Sequence, residues 1–485
     1  MWRTVSLFLV VLFSPLLQPV AHGIVYYLPG AAETEGANDS FFSSTVFITN
    51  PGTQPADVVL RFIPNQNRPN PNLEILRNVP AGHTLRIDRA LDTLFALNAD
   101  TGTITLDSTR PIVAWMATSN VANPAGAYGL AIEAVPESGL LVGGAQVTQS
   151  IWASHSTDFS RAFRTNVGGV LVDPGSSVEL RVFDAAGTQR GITTISSPQP
   201  ASFQISLSSV LNAFDLPVGR VQVDVRQGRA AVYVSVVDNR TSDGIAVQPE
   251  VFGTARGDFI LNGVARTPGQ NNTHWTTDVR IGNLNPFPVE INISTIGFQS
   301  AGNAITRIVQ PGHTLAINDI IGPAGFNLGD GPAGALRFSA NLPFLVSGRT
   351  SNSDPAGVQP GSFSAYQSAV RYTADFLTPG GRRTLTGLEQ SSRTRTNIGL
   401  LAGPEGAVVN LTLIDEVGSV FSTATIELEA DEWRQEPLHR LFDLPAVNFL
   451  ARVDLRVTSG SVDAYASKID AGTGDPIVIN AAPIP

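Results

Sequence analysis

The chain has 485 residues, with 45 glycines, 33 prolines, no cysteine and a formal net charge of −10 at pH 7. That length exceeds one ordinary domain, and few charged residues among many turn formers favour a turn-rich β protein over a helical one. The acidic balance excludes an electrostatic footprint for nucleic acid, and the missing cysteine excludes disulfides, thiolate metal sites, a catalytic thiol and a lipid-bearing residue after a signal.

Residues 1–23 read as a secretory signal peptide. Arg3 supplies the positive start, Val5 to Leu17 is an apolar run broken by Ser14 and Pro15, and Ala21-His22-Gly23 places cleavage before Ile24. No later stretch approaches ~20 uninterrupted apolar residues. The mature chain is therefore expected to be secreted, periplasmic or at the cell surface, with no membrane insertion after cleavage.

The remainder repeats. Val46-Phe47-Ile48-Thr49-Asn50 matches Val279-Arg280-Ile281-Gly282-Asn283, Gly82-His83-Thr84-Leu85 matches Gly312-His313-Thr314-Leu315, and Thr118-Ser119-Asn120 matches Thr350-Ser351-Asn352. A second set runs between these: Arg164-Thr165-Asn166-Val167-Gly168 with Arg395-Thr396-Asn397-Ile398-Gly399, and Phe214-Asp215-Leu216-Pro217 with Phe442-Asp443-Leu444-Pro445. A shared offset of about 230 residues makes this an A-B-A-B duplication. The expected units are 24–136 (A1), 137–253 (B1), 254–371 (A2) and 372–485 (B2).

Within each unit the period is two. Val221, Val223 and Val225 alternate with polar residues, as do Val453, Leu455 and Val457. Each such strand, followed after Gly228 or Gly460 by another, reads as a hairpin. About seven short strands per unit predict an all-β chain of four antiparallel β-sandwiches. One short helical plug per unit is expected, at Asp88–Phe95, Leu207–Phe214, Asn318–Ile321 and Pro437–Phe442, with Asp88, Ser208 and Asn318 as caps and Pro217 and Pro445 as stops.

Candidate sites are few. Asp238 with Asp243, and Asp470 with Asp475, recur in the last turns of the B units and could offer oxygen ligands to calcium; Asx turns account for them equally. His83 and His313 sit in turns without second ligands. Arg164-Thr165-Asn166 and its copy suit hydrogen bonds at a strand entrance. Trp152 and Trp275, flanked by polar residues, are candidates for stacking a glycan. No nucleophile elbow, zinc-protease helix or phosphate loop occurs, so no catalytic residue and no cofactor is expected.

Trp275-Thr276-Thr277-Asp278-Val279 with Asn283, then Pro311-Gly312, Arg349-Thr350-Ser351-Asn352 and Gly361-Ser362-Phe363, resemble a tandem repeat of large secreted proteins from acidobacteria-like and related bacteria. The B units resemble its partner repeat through Arg-Thr-Asn-Val-Gly and the closing strands Tyr233–Asp238 and Tyr465–Asp470. The resemblance covers the mature chain, best over 258–370, and in 24–134 Met116-Ala117-Thr118-Ser119-Asn120 replaces the Arg-Thr form. It implies immunoglobulin-like sandwiches and carries over no catalytic residue. The expectation is an exported, non-catalytic structural or interaction module that meets a protein or glycan partner at the cell surface. The alternatives are a carbohydrate-binding or adhesion protein, an accessory region of a secreted hydrolase, or a filament subunit exchanging Ile24–Leu28.

Overall fold

The computed structural model describes residues 23–484 except 38, 67, 146, 159, 161, 213, 254–256, 270–272, 299–302, 354–360 and 445–447. The segment through residue 22, expected to be a signal peptide, and Pro445 lie outside the described residues. What is described is all-β, with three short α-helices and antiparallel sheets.

B1 shows the plan most plainly. One sheet orders 189–196, 177–184, 216–227, 148–155 and 250–251; the other orders 141–142, 229–238, 163–171 and 201–206, with 244–247 also on 229–238. Val178, Leu180 and Val182 point inward from the first sheet and meet Val167, Phe203 and Val234 of the second. A2 repeats both sheets. In A1 the first strand, Ile24–Glu35, pairs with 100–108, 41–49 and 135–136, joining the layers into one nine-stranded sheet. In B2 two 22-residue strands, Thr394–Asp415 and Phe449–Asp470, run through both layers. Ile24–Leu28 is thus an internal strand, and exchanging it would dismantle a sheet.

The strand order corrects two expectations. Numbering B1 strands along the chain from 148–155, the sheets read 4-3-6-1 and 5-2-7-8. An immunoglobulin sandwich keeps its first strand beside the second and its seventh beside the sixth; here the first lies beside the sixth and the seventh beside the second. The difference arises because the hairpins expected across Gly228 and Gly460 do not form, Gly460 lying inside the continuous strand Phe449–Asp470. Gly228, at φ 70, turns the chain from one sheet into the other, so 216–227 and 229–238 face each other across the core rather than pair.

A tandem string is also corrected, because the units close into a propeller-like ring. The eighth strands of the four units, 128–133, 244–247, 362–368 and 476–480, each neighbour two of the others around a common axis. Ring closure joins residues far apart in the chain. Trp115 Nε1 donates to Thr386 O at 3.2 Å, Thr84 N donates to Glu416 O at 3.0 Å, and Arg86 pairs with Glu389.

Helices form at Ala90–Phe95, Ser208–Leu211 and Leu438–Leu441, with Leu91, Leu94 and Phe95 buried as end plugs. Around 318–326 there are only turns, because Gly322 and Pro323 interrupt the turn at once. The expected caps do not form: Arg89, left-handed at φ 48, precedes the first helix, Ser208 lies inside the second, and no side chain caps either.

Candidate functional site

The four aspartates of the B-unit turns come together at the ring axis as clamps on the neighbouring A units. Asp238 Oδ1 accepts Arg240 N at 2.9 Å, the expected Asx turn, while Oδ2 reaches across to Ser362 N and Oγ, both at 3.0 Å. Asp243 Oδ2 accepts Ser364 N at 2.7 Å. In the second half Asp470 Oδ1 accepts Gly472 N and Thr473 N, and Asp475 Oδ2 accepts Gly129 N at 3.0 Å. Each B unit therefore grips the axial strand of the next A unit by its backbone N–H groups. Those donors stand where calcium would need free oxygen lone pairs. Among the described residues no group of three or more His, Asp or Glu is placed to hold a metal.

Asp243 and Asp475 keep one oxygen each, Oδ1, buried and without a partner outside the pair, and the two carboxyls lie in contact. Burial raises both well above the ordinary carboxylate value, and the Asp243 charge raises Asp475 further. Two carboxyls in contact cannot both ionise, so the pair retains a proton.

Beside this pair the axial strands enclose a cavity of about 350 Å³. Its end adjoins Gly129, Gly244, Ser364 and Pro476, next to the clamps; its wall carries Leu130, Ile132, Ile245 and Val478. Glu133 and Glu250 also line it. Asn480 Nδ2 donates to Glu133 Oε1 at 3.0 Å, and the Tyr366 hydroxyl donates to Glu250 Oε1 at 3.2 Å. Glu133 is exposed at the end of its strand and Glu250 is half-buried, and desolvation raises both carboxyls, Glu250 to about 7. Neither glutamate was picked out from the sequence. The available signal is a break in the repeat: the clamp register aligns Glu133 with Ser368 and Glu250 with Ala482.

Trp152, expected at the surface, is buried in the B1–A2 seam. Its Nε1 donates to Ser347 Oγ at 2.9 Å, and the Arg280 and Arg349 guanidiniums lie 4.7 and 5.5 Å from its ring centre. Leu345 of A2 completes the B1 core around it. Trp275 is half-buried, on the strand that pairs 267–268 with 274–282. The two tryptophans therefore form no common stacking platform. The Gly-His-Thr-Leu turns are seam contacts: Thr314 N donates to Ala185 O at 2.9 Å, as Thr84 does to Glu416 O, and Arg452 reaches Gly82 O. In the Arg-Thr-Asn motifs Thr165 Oγ1 donates to Ser154 O and Thr396 Oγ1 to Glu389 O, tying the strand entrance to its neighbour.

No family model and no curated protein matches the chain. Among solved structures, the α-L-rhamnosidase of Streptomyces avermitilis complexed with L-rhamnose aligns over 85% of this chain and 54% of that chain, at 9% identity and a TM-score of 0.13. The chain spans about half the length of that enzyme, and a likeness this slight carries no argument about fold or activity.

Proposed function

We propose that the protein is an exported, non-catalytic β ring that acts as a structural and interaction module at the cell surface or outside the cell. The observation that carries this reading is the set of outermost strands. Strands 74–79, 189–196, 304–309 and 420–428 each end a sheet order, leaving an unpaired edge. They expose Leu76, Ile192, Ile308, Val420 and Phe421. An open edge with projecting apolar side chains is a template for an extended segment of a partner, with main-chain bonds giving affinity and side-chain contacts giving selectivity. The ring supplies rigidity, because every unit is gripped on two sides. The test has two parts. Fractionation and protease shaving of producing cells should find the protein outside. Panning a library of extended peptides should enrich binders that weaken at least tenfold on Ile192→Lys or Ile308→Lys. A cytoplasmic location, or binders indifferent to all four edges, would overturn the reading.

A further inference from the structure

We propose that the axial cavity is a binding site for a small organic cation, an ammonium group on a compact apolar body. The cavity is built from one strand of every unit, so it exists only in the closed ring. Its charged lining residues, among those described, are Glu133 and Glu250. No Lys, Arg or His stands among the described lining residues to balance them. The hydrogen bonds that reach these carboxyls come from the neutral donors Asn480 and Tyr366, which orient them without neutralising them. The rest of the wall mixes aliphatic side chains, Leu130, Ile132, Ile245 and Val478, with the neutral Tyr233, Gln248 and Ser368. A volume of about 350 Å³ lies in the range of ligand pockets and holds a compact molecule.

The energetics point the same way. A carboxylate kept in a protein-walled space without a counter-charge is costly, and the cost shows as retained protons. Burial raises Glu133, and holds Glu250 near 7. A bound ammonium removes that cost by supplying the missing positive charge, so binding near neutral pH expels a proton. A neutral or anionic ligand of equal shape gains nothing from the glutamates. The glutamates are also private to one half of the duplication, with Ser368 and Ala482 at the matching places. A purely architectural cavity has no use for that asymmetry; a site with one ligand orientation does.

The test is calorimetric titration of the whole protein with methylamine, choline, putrescine and benzylamine, beside benzyl alcohol and benzoate as neutral and anionic shape controls. At least one amine should saturate the site, and the controls should bind at least tenfold more weakly. Repeating the titration at pH 7 in two buffers of different ionisation enthalpy should reveal proton release. Glu250→Gln should weaken the amine at least tenfold while the protein still melts in one cooperative transition, and Ala246→Phe, which fills the cavity, should abolish binding. No saturable binding by any of the four amines, or equal binding of benzylamine and benzyl alcohol, would overturn the proposal. So would amine binding unchanged by Ala246→Phe, a readout independent of whether the Glu250 variant folds.

Discussion

Asp243 carries out two tasks with one carboxyl: Oδ2 holds the A2 backbone at Ser364, and Oδ1 shares the axis with Asp475. The tasks separate by substitution. Asp243→Ala strands the Ser364 N–H and should cost about 1–3 kcal/mol, read from denaturant midpoints. Asp243→Asn keeps an acceptor for Ser364 and turns an N–H toward Asp475, replacing the shared proton. It should therefore be neutral or stabilising at pH 7.5. The pH dependence follows from the same groups. Asp243 and Asp475 are raised by burial, Glu250 stands near 7 and Asp463 near 6, so the folded state binds these protons more tightly than the unfolded chain. Their contribution to stability is full below the ordinary carboxylate range and is lost as pH rises through the folded values. Burial lowers His155, which acts in the opposite sense as a single group. Thermal midpoints should thus fall between pH 5 and 7.5, and Asp243→Asn should flatten the slope; a midpoint that rises over this range would refute the assignment. At this scale the sequence was half legible. The Asx turns of Asp238 and Asp470 are local and were expected, whereas their second oxygens act across units, where no spacing signals a partner.

At the scale of elements, the two B–A seams exchange a tryptophan for a small residue. The pairing of Trp115 with Phe47 matches that of Ser347 with Arg280, so Trp115 and Ser347 hold the same position in A1 and A2. Ser150 opposite Val221 matches Leu385 opposite Val453, which places Trp152 level with Gly387 in the B units. One seam therefore has Trp152 from B against Ser347 from A; the other has Trp115 from A against Gly387 from B. A Cβ on Gly387 would sit 2.7 Å from the Trp115 ring, and Gly387 itself has φ 67. In the first seam Arg280 and Arg349 flank the indole; in the second, Lys468, bound to Glu389 at 2.7 Å, lies 5.0 Å from it, and Phe47 stacks at 4.3 Å. Trp152→Gly should cost about 3–5 kcal/mol as a large core truncation. Ser347→Trp alone should overpack the seam by about 1–3 kcal/mol. Combined, they recreate the other seam's arrangement and should recover more than half of the summed loss. Additive losses in that double-mutant cycle would show that the exchange is not compensatory. The strands themselves were readable from their alternation. Trp152 was misplaced because residues that bury it, Leu345, Ser347 and Arg349, belong to A2 and lie nearly 200 positions later.

The ring as a whole has one A–B and one B–A seam per half, and the halves share strand order around the axis while differing at Glu133, Glu250 and the seam tryptophans. The repeat was evident in the motifs, but closure was not, because it rests on contacts between A1 and B2 that no local pattern encodes. Closure has a consequence for connectivity. The B1–A2 seam is crossed by the covalent segment 252–257, between Val251 and Asp258. Val251 pairs opposite Thr148 as Pro483 pairs opposite Arg383, and Ile260 pairs opposite Val370 as Tyr27 pairs opposite Val135. By that register Pro483 and Val25 stand in the relation of Val251 and Asp258, so a six-residue connection spans them. A circular permutant starting at Asp258 and ending at Val251, with Pro483 joined to Val25 by six residues, keeps every clamp and both tryptophan seams. Moving the chain break changes loop-closure entropy only slightly, because the new and old connections have equal length. The permutant should fold to the same far-ultraviolet spectrum and melt in one transition within a few degrees of the parent. An open string of four units would instead lose nothing at its new termini yet gain a strained connection, giving a separate early transition for A1 or B2.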